Sequence, residues 1–261
     1  MKKTVSRMII ALVLGMLFMQ PAQSQDNSKD NPFFQARNTP FQVPPFDQIK
    51  PAHYLPAFEA GMASHKKEIA AIVENPEPPT FANTVEALEK SGSLLTKVGN
   101  VFFNLTSADT NEEMQKIEAT IAPLLAKHQD DINLDPKLFA RVKAVQEGKD
   151  KLSLTAEQAM LLDKTHKVFV RGGANLDETK KTEFRAINEE LSVLNQKFGE
   201  NVLKEDNGFV LVLDKPEDLA GLPEAVVQTA AAAAKRRDLG EGKWVFTLHK
   251  PSCIPFFQYS A

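Results

Sequence analysis

Between Asp177 and Gly208 the large apolar residues are Phe184, Ile187, Leu191, Leu194, Phe198 and Val202. The steps between them are three and four, the period of one face of an α-helix. Asp177 suits the N-cap, and Asn207-Gly208 suits the stop. The other side carries Lys181, Arg185, Glu189, Asn195 and Glu200, which suits water. The pattern predicts a helix of about 30 residues, roughly 45 Å long. Its apolar stripe needs cover, and the helices predicted before it are expected to supply that cover.

Those helices follow from the same period. Tyr54, Leu55, Phe58, Met62, Ile69, Ile72 and Val73 form one side of a helix over 52–75, ended by NPEPP at 75–79. The next starts at Thr80 or Asn83 and turns Phe81, Val85, Leu88, Leu94, Leu95, Val98, Val101 and Phe102 inward. Gly92 and Gly99 within it either admit a close neighbour or weaken it. A third helix covers 111–131 on Met114, Ile117, Ile121, Leu124 and Leu125, with a kink expected at Pro123. Asp135-Pro136 is a cap followed by proline at the first helical position, opening a short helix that ends near Gly148. Thr155 caps a helix to Val170, closed by Gly172-Gly173.

After Gly208 the pattern shifts. Phe209 to Leu213 (FVLVL) reads as a buried strand, and Lys243 to Leu248 (KWVFTL) as a second, able to pair with the first. Between them a helix is expected from Pro223 to about Leu239. The fold class is therefore mainly α, with one short β-strand pair near the C-terminus. The segment HKPSCIPFFQYSA, from His249, brings Ile254, Phe256, Phe257 and Tyr259 to the end with no polar tail or capping helix. The chain is expected to stop in the middle of a domain.

The N-terminal segment carries an address. Lys2, Lys3 and Arg7 precede an apolar run from Met8 to Met19, and small residues Ala22 and Ser24 suit cleavage after Ser24. The run is too short to cross a bilayer, which takes about 20 residues. Residues 1–24 are thus expected to be a signal peptide that sends the protein to the periplasm and leaves no stable membrane anchor. Removing them moves the net charge from −3 to −6. Residues 25–50 form a polar tether and an extended arm. There Pro32, Pro40, Pro44 and Pro45 forbid a regular helix, and Phe33, Phe34, Phe41 and Phe46 are expected to insert into the body.

Charge and chemistry exclude more than they assign. There is no basic excess of the kind a nucleic-acid surface shows. Lys235-Arg236-Arg237 falls at the end of an alanine-rich helix, where cations oppose the negative pole. Cys253 is the single cysteine, so no intrachain disulfide forms, and it reads as buried filler. Among His53, His65, His128, His166 and His249, no two are four residues apart, and no His-Glu-x-x-His occurs. His53, His65 and His128 are expected at the surface or rim. The pairs Glu112-Glu113, Asp130-Asp131 and Glu189-Glu190 are expected on solvated faces. No phosphate loop, dinucleotide fingerprint or nucleophile elbow is present. No residue is assigned a catalytic, cofactor-binding or metal-binding role.

Several segments in order carry a resemblance. They are NPFF at Asn31, PFDQIKPAHYLPAFEAG from Pro45, NPEPPTFANTVEALEKSG from Asn75, VFFNLTSADTNEEMQKIE from Val101, FVRGGANLDE from Phe169, INEELSVLNQKFGENVL from Ile187 and GKWVFTL from Gly242. Together they resemble the bacterial peptidyl-dipeptidases (dipeptidyl carboxypeptidases) of the thimet oligopeptidase family of zinc peptidases. The resemblance implies the N-terminal portion of such an enzyme, with residues 51–207 as a helical channel wall and 208–261 as the start of a truncated α+β catalytic region. It implies removal of C-terminal dipeptides from oligopeptides, zinc in the full-length protein and a monomer when complete. The family's zinc ligands have no counterpart here, so this portion alone is expected to be inactive and to bind no zinc. The residues by themselves leave a second reading open: a non-catalytic helical module of the periplasm that holds peptides or a protein partner.

Overall fold

The computed structural model describes residues 30–261. The signal segment and most of the tether lie outside the described residues. The chain enters the body on one polar anchor. Asn31 is buried; its Oδ1 accepts from Phe33 N–H at 3.1 Å and its Nδ2 donates to His53 O at 2.9 Å. This pins the short turn Pro32–Phe34, and the Phe33 ring packs 5.5 Å from Tyr54. The arm was expected to insert all its rings, and only Phe33 enters. Phe34, Phe41 and Phe46 stay exposed, Phe41 at 99%. The arm meets the core at this hydrogen-bonded turn and again at Ile49, so of its rings only the one on the turn reaches it.

Helix α1 runs Tyr54–Val73. A π-helical turn over Phe81–Glu86 leads into α2, Ala87–Lys90. The single helix expected here is split: Gly92 sits at φ 71°, in the left-handed region, and α3 restarts at Ser93–Ala108. Helix α4, Glu112–Asn133, is capped by Asn111, whose Oδ1 accepts from Met114 N–H at 3.0 Å, and it continues past Pro123. Asp135 caps α5, Pro136–Glu147, through bonds from Lys137 N–H and Leu138 N–H. Thr155 and Gln158 form a reciprocal capping box at the start of α6, Ala156–Arg171. Asp177 caps α7, Glu178–Gly208, 31 residues long.

The first core lies among α1, α3 and α4. Tyr54 and Phe58 meet Phe102 edge-on, with centroids 4.9 and 5.5 Å apart, and Val98, Met114 and Ile121 close the cluster. Close approach comes from Gly61 of α1, not from Gly99. A β-carbon at Gly61 would stand 2.9 Å from the Leu95 Cα, whereas one at Gly99 would meet nothing nearer than 3.8 Å. A second cluster joins Ile69 and Ile72 to Ile132, Leu138, Phe139, Val142 and Phe169, and so packs α1 and α4 against α5 and α6.

Strands β1 (Leu211–Leu213) and β2 (Trp244–Phe246) pair antiparallel, Val212 opposite Val245. Helix α8, Glu224–Lys235, covers them with Ala233 and Ala234 against Val245. The C-terminal segment corrects the expectation of an uncapped end. It forms helix α9, Lys250–Tyr259, with Pro251 in its first turn, a position where the missing N–H costs nothing. Ala261 N–H donates to Ala220 O at 3.1 Å, and Gly221 (φ 84°) lets the two segments touch. Phe256 packs on Phe246 at 4.6 Å, while Ile254 and Phe257 remain exposed.

Candidate functional site

Helix α7 does not present its apolar stripe to the earlier helices. Ile187, Leu191, Leu194, Phe198 and Val202 are all exposed, Phe198 at 70%. The half-buried positions are Phe184, Arg185, Asn188, Ser192, Val193, Gln196, Glu200 and Asp206, and Lys181 is the one buried residue of the helix. At 100° per residue this contact face lies about a third of a turn from the stripe. The expectation that the preceding chain covers the stripe is therefore overturned. The reason is polar: α4 offers carboxylates, not an apolar groove, along the seam. Arg185 Nη1 donates to Asp131 Oδ1 at 2.9 Å, and Asn188 Nδ2 donates to Asp130 Oδ1 at 2.8 Å. Lys181, expected in water, is buried and pairs with Glu178 at 3.1 Å.

Asp131 gathers cations from three helices. Lys66 of α1 lies at 3.1 Å, Lys127 of α4 at 3.0 Å and Arg185 of α7 at 2.9 Å. Burial pushes its carboxyl up, but the hydrogen bonds from Lys127 and Lys66 outweigh this and hold it below the usual range. Burial holds its neighbour Asp130 above the usual range, only partly offset by the Asn188 bond. Asp130-Asp131 is thus a structural pair inside a seam, not the solvated face expected. Farther along the same seam a groove of about 730 Å³ opens between α4 and α7, lined by Glu112, Gln115, Lys116, Glu200, Asn201 and Lys204 among others. Burial, and then the Glu200 carboxylate, raise Glu118 beside it.

Two histidines meet above this network. His65 of α1 and His128 of α4 face each other with Nδ1 and Nε2 3.0 Å apart. His65 Nε2 lies 3.0 Å from Ser91 Oγ, which donates to Leu88 O at 2.6 Å. His128 is buried, 4% exposed, against the expectation of a surface position. His65 and His128 are 63 residues apart, so no local spacing announces the pair. The other histidines stay apart from it: His53 Nδ1 accepts from Lys50 N–H at 3.1 Å, and His166 stacks on Phe139. Cys253 is half-buried and its thiol donates to Leu248 O at 3.2 Å.

Among the described residues no group of three or more His, Cys, Asp or Glu side chains is placed to hold a metal ion. Nor is any described helix long and apolar enough to cross a membrane.

No family model matches the chain. Individual proteins do. Dipeptidyl carboxypeptidase of Escherichia coli K12 is 40% identical over 218 residues, 84% of this chain and 32% of the relative. By sequence, the chain is related to the dipeptidyl carboxypeptidases. Oligopeptidase A of the same organism is 26% identical over 221 residues, again 32% of its length. A thimet-like oligopeptidase of Dictyostelium discoideum is 24% identical over 210 residues. The chain spans about a third of the length of the curated relatives it matches. The resemblance read from the ordered segments is borne out, and the relatives are named as peptidases. The mainly helical architecture with one strand pair stands as expected.

Proposed function

We propose that this chain is the helical portion of an exported zinc peptidyl-dipeptidase, a protein that removes C-terminal dipeptides from oligopeptides. The observation that carries the reading is the 40% identity to a dipeptidyl carboxypeptidase over 84% of the chain. In this reading residues 51–207 are a wall beside which unfolded peptides pass, and 208–261 begin the α+β part. Two features support the division. The main apolar clusters of α1 to α6 are built without residues from β1, α8 or β2, and α8 and β2 form a cluster of their own. The exposed stripe of α7 is also a continuous apolar face of the kind that marks a docking or ligand surface.

Zinc is part of the reading for the whole protein. The residues described here do not fit it. The two imidazoles that meet are bonded to one another, and no third ligand joins them. The ligands are therefore assigned outside residues 30–261, and the catalytic step is assigned to no residue of this chain. Export rests on the residues 1–24, and the periplasm is the compartment that segment implies.

A chimera tests the reading. The matching segment of the E. coli dipeptidyl carboxypeptidase is replaced by this chain's segment, and release of dipeptides from an N-blocked peptide is followed with and without chelator. The expected result is chelator-sensitive release by the chimera and none by the present chain alone. A folded, zinc-loaded chimera that releases no dipeptide, or release by the present chain alone, would overturn it.

A further inference from the structure

The bonds around His65 and His128 fix where every proton sits. Ser91 has one hydroxyl proton, and the Leu88 carbonyl takes it at 2.6 Å. Ser91 Oγ must then accept from His65, so His65 carries its proton on Nε2. That leaves His65 Nδ1 bare, and it can only accept. His128 Nε2–H donates to it across 3.0 Å. His128 Nδ1 is bare in turn; it is buried and has no hydrogen-bond partner among the described residues. The relay thus runs one way, from α4 through α1 to the corner at 88–92, with each tautomer set by the next bond.

This arrangement has no place for a further proton. On His65 Nδ1 a proton would face the His128 N–H. On His128 Nδ1 it would make a buried cation with no acceptor, a costly state. The surrounding charges give little relief. On α1, Lys66 repels His128, while Glu68, whose two oxygens accept from Ser64 Oγ–H and Gly92 N–H, favours a proton on His65 without outweighing its burial. At the corner and on α6, Glu89 and Lys164 line the same hollow as His65 with opposite signs. On α4, Asp131 attracts but is already held by Lys66, Lys127 and, from α7, Arg185.

We propose that the His128–His65–Ser91 relay is an acid-sensitive latch, tying α1 and the 88–92 corner to α4 only while both imidazoles are neutral. Burial first, then repulsion from a proton on His65 and from Lys66, hold His128 down at about 4. Burial lowers His65 as well. An unfolded chain takes up a histidine proton near about 6.5. The folded-state value lies below the unfolded one, so the latch contributes fully above about 6.5 and is lost as pH falls toward the folded value.

The test uses the whole chain. Histidine ¹H–¹⁵N spectra should show both rings as Nε2–H tautomers at pH 7.5, with His128 gaining no proton above pH 5.5 and His65 titrating below an ordinary histidine. Urea unfolding should show the equilibrium shifting toward the unfolded state between pH 7.5 and 5.5, with about tenfold of the shift due to His128. His128→Gln keeps an N–H to give His65 but does not titrate, so that tenfold part should vanish. Amide protection in α1 and α4 should fall at pH 4 relative to α8. An Nδ1–H tautomer on either ring, a proton taken up by His128 between pH 6 and 7, or unchanged pH dependence in the variant would overturn the latch. If His128→Gln does not fold, the spectra of the unaltered chain decide.

Discussion

Replacing Gly61 with alanine probes how closely α1 and α3 approach. The new β-carbon would stand 2.9 Å from Leu95 Cα, 3.1 Å from its N and 3.3 Å from its Cβ. These atoms belong to the backbone end of Leu95, so no side-chain rotation relieves the contact. The helices must separate, which loosens Tyr54 and Phe58 against Phe102. Overpacking of this kind costs about 1–3 kcal/mol. The helix preference of alanine over glycine returns about 0.8–1 kcal/mol. The expected net loss is roughly 0–2 kcal/mol. Gly99→Ala is the internal control. Its β-carbon would meet only the Phe103 ring, at 3.8 and 3.9 Å, an ordinary contact. That variant should keep the propensity gain and unfold later, by about 0.5–1 kcal/mol. The two variants should differ by about 1–3 kcal/mol, because propensity is common to both and only overpacking separates them. Urea denaturation measures this as two midpoints displaced in opposite directions at unchanged slope. If Gly61→Ala unfolded at the same urea concentration as Gly99→Ala, or a higher one, the close α1–α3 contact would be refuted.

Two further outcomes follow from α7 and its seam. Asp131→Ala removes the partner of Lys66, Lys127 and Arg185; these are partly exposed pairs, so the expected loss at pH 7 is roughly 1–2 kcal/mol in all. The folded-state value of Asp131 is depressed, so its contribution is present above about 3.9 and disappears as pH falls through the folded value. The deficit of the variant should therefore shrink in acid, and a deficit independent of pH in denaturation curves would count against the pairing. Phe198→Ser should change stability by less than about 0.5 kcal/mol, because the ring is already in water. It should also lower the binding of a hydrophobic dye, and a large loss of stability would show that the stripe is covered within this chain.

Local elements were legible in the residues because their signals act within one turn of backbone. Asn111, Asp135, Thr155 and Asp177 each satisfy orphan N–H groups two or three residues ahead, wherever the helix later packs. The strand pair was legible because two short apolar runs can bond to each other. The buried strand expected over Phe209–Leu213 shrinks to Leu211–Leu213, with Phe209, Val210 and Val212 exposed, because α8 covers Val245 of β2 instead. α9 was missed because an aromatic-rich end with two prolines reads as a broken pattern. Its place is held by long-range contacts, Phe256 on Phe246 and the chain end on Ala220.

What the residues alone determined is the inventory: capped helices, one β pair and a single helix long enough to span the domain. The three-dimensional packing decided which sides of those helices are wet. Periodicity shows that α7 has an apolar stripe but not that α4 would meet it with Asp130 and Asp131 instead. It shows His65 and His128 among charged neighbours but cannot bring residues 63 positions apart within one hydrogen bond. Burial and proton placement depend on partners distant along the chain, and so they exist only once the helices have docked.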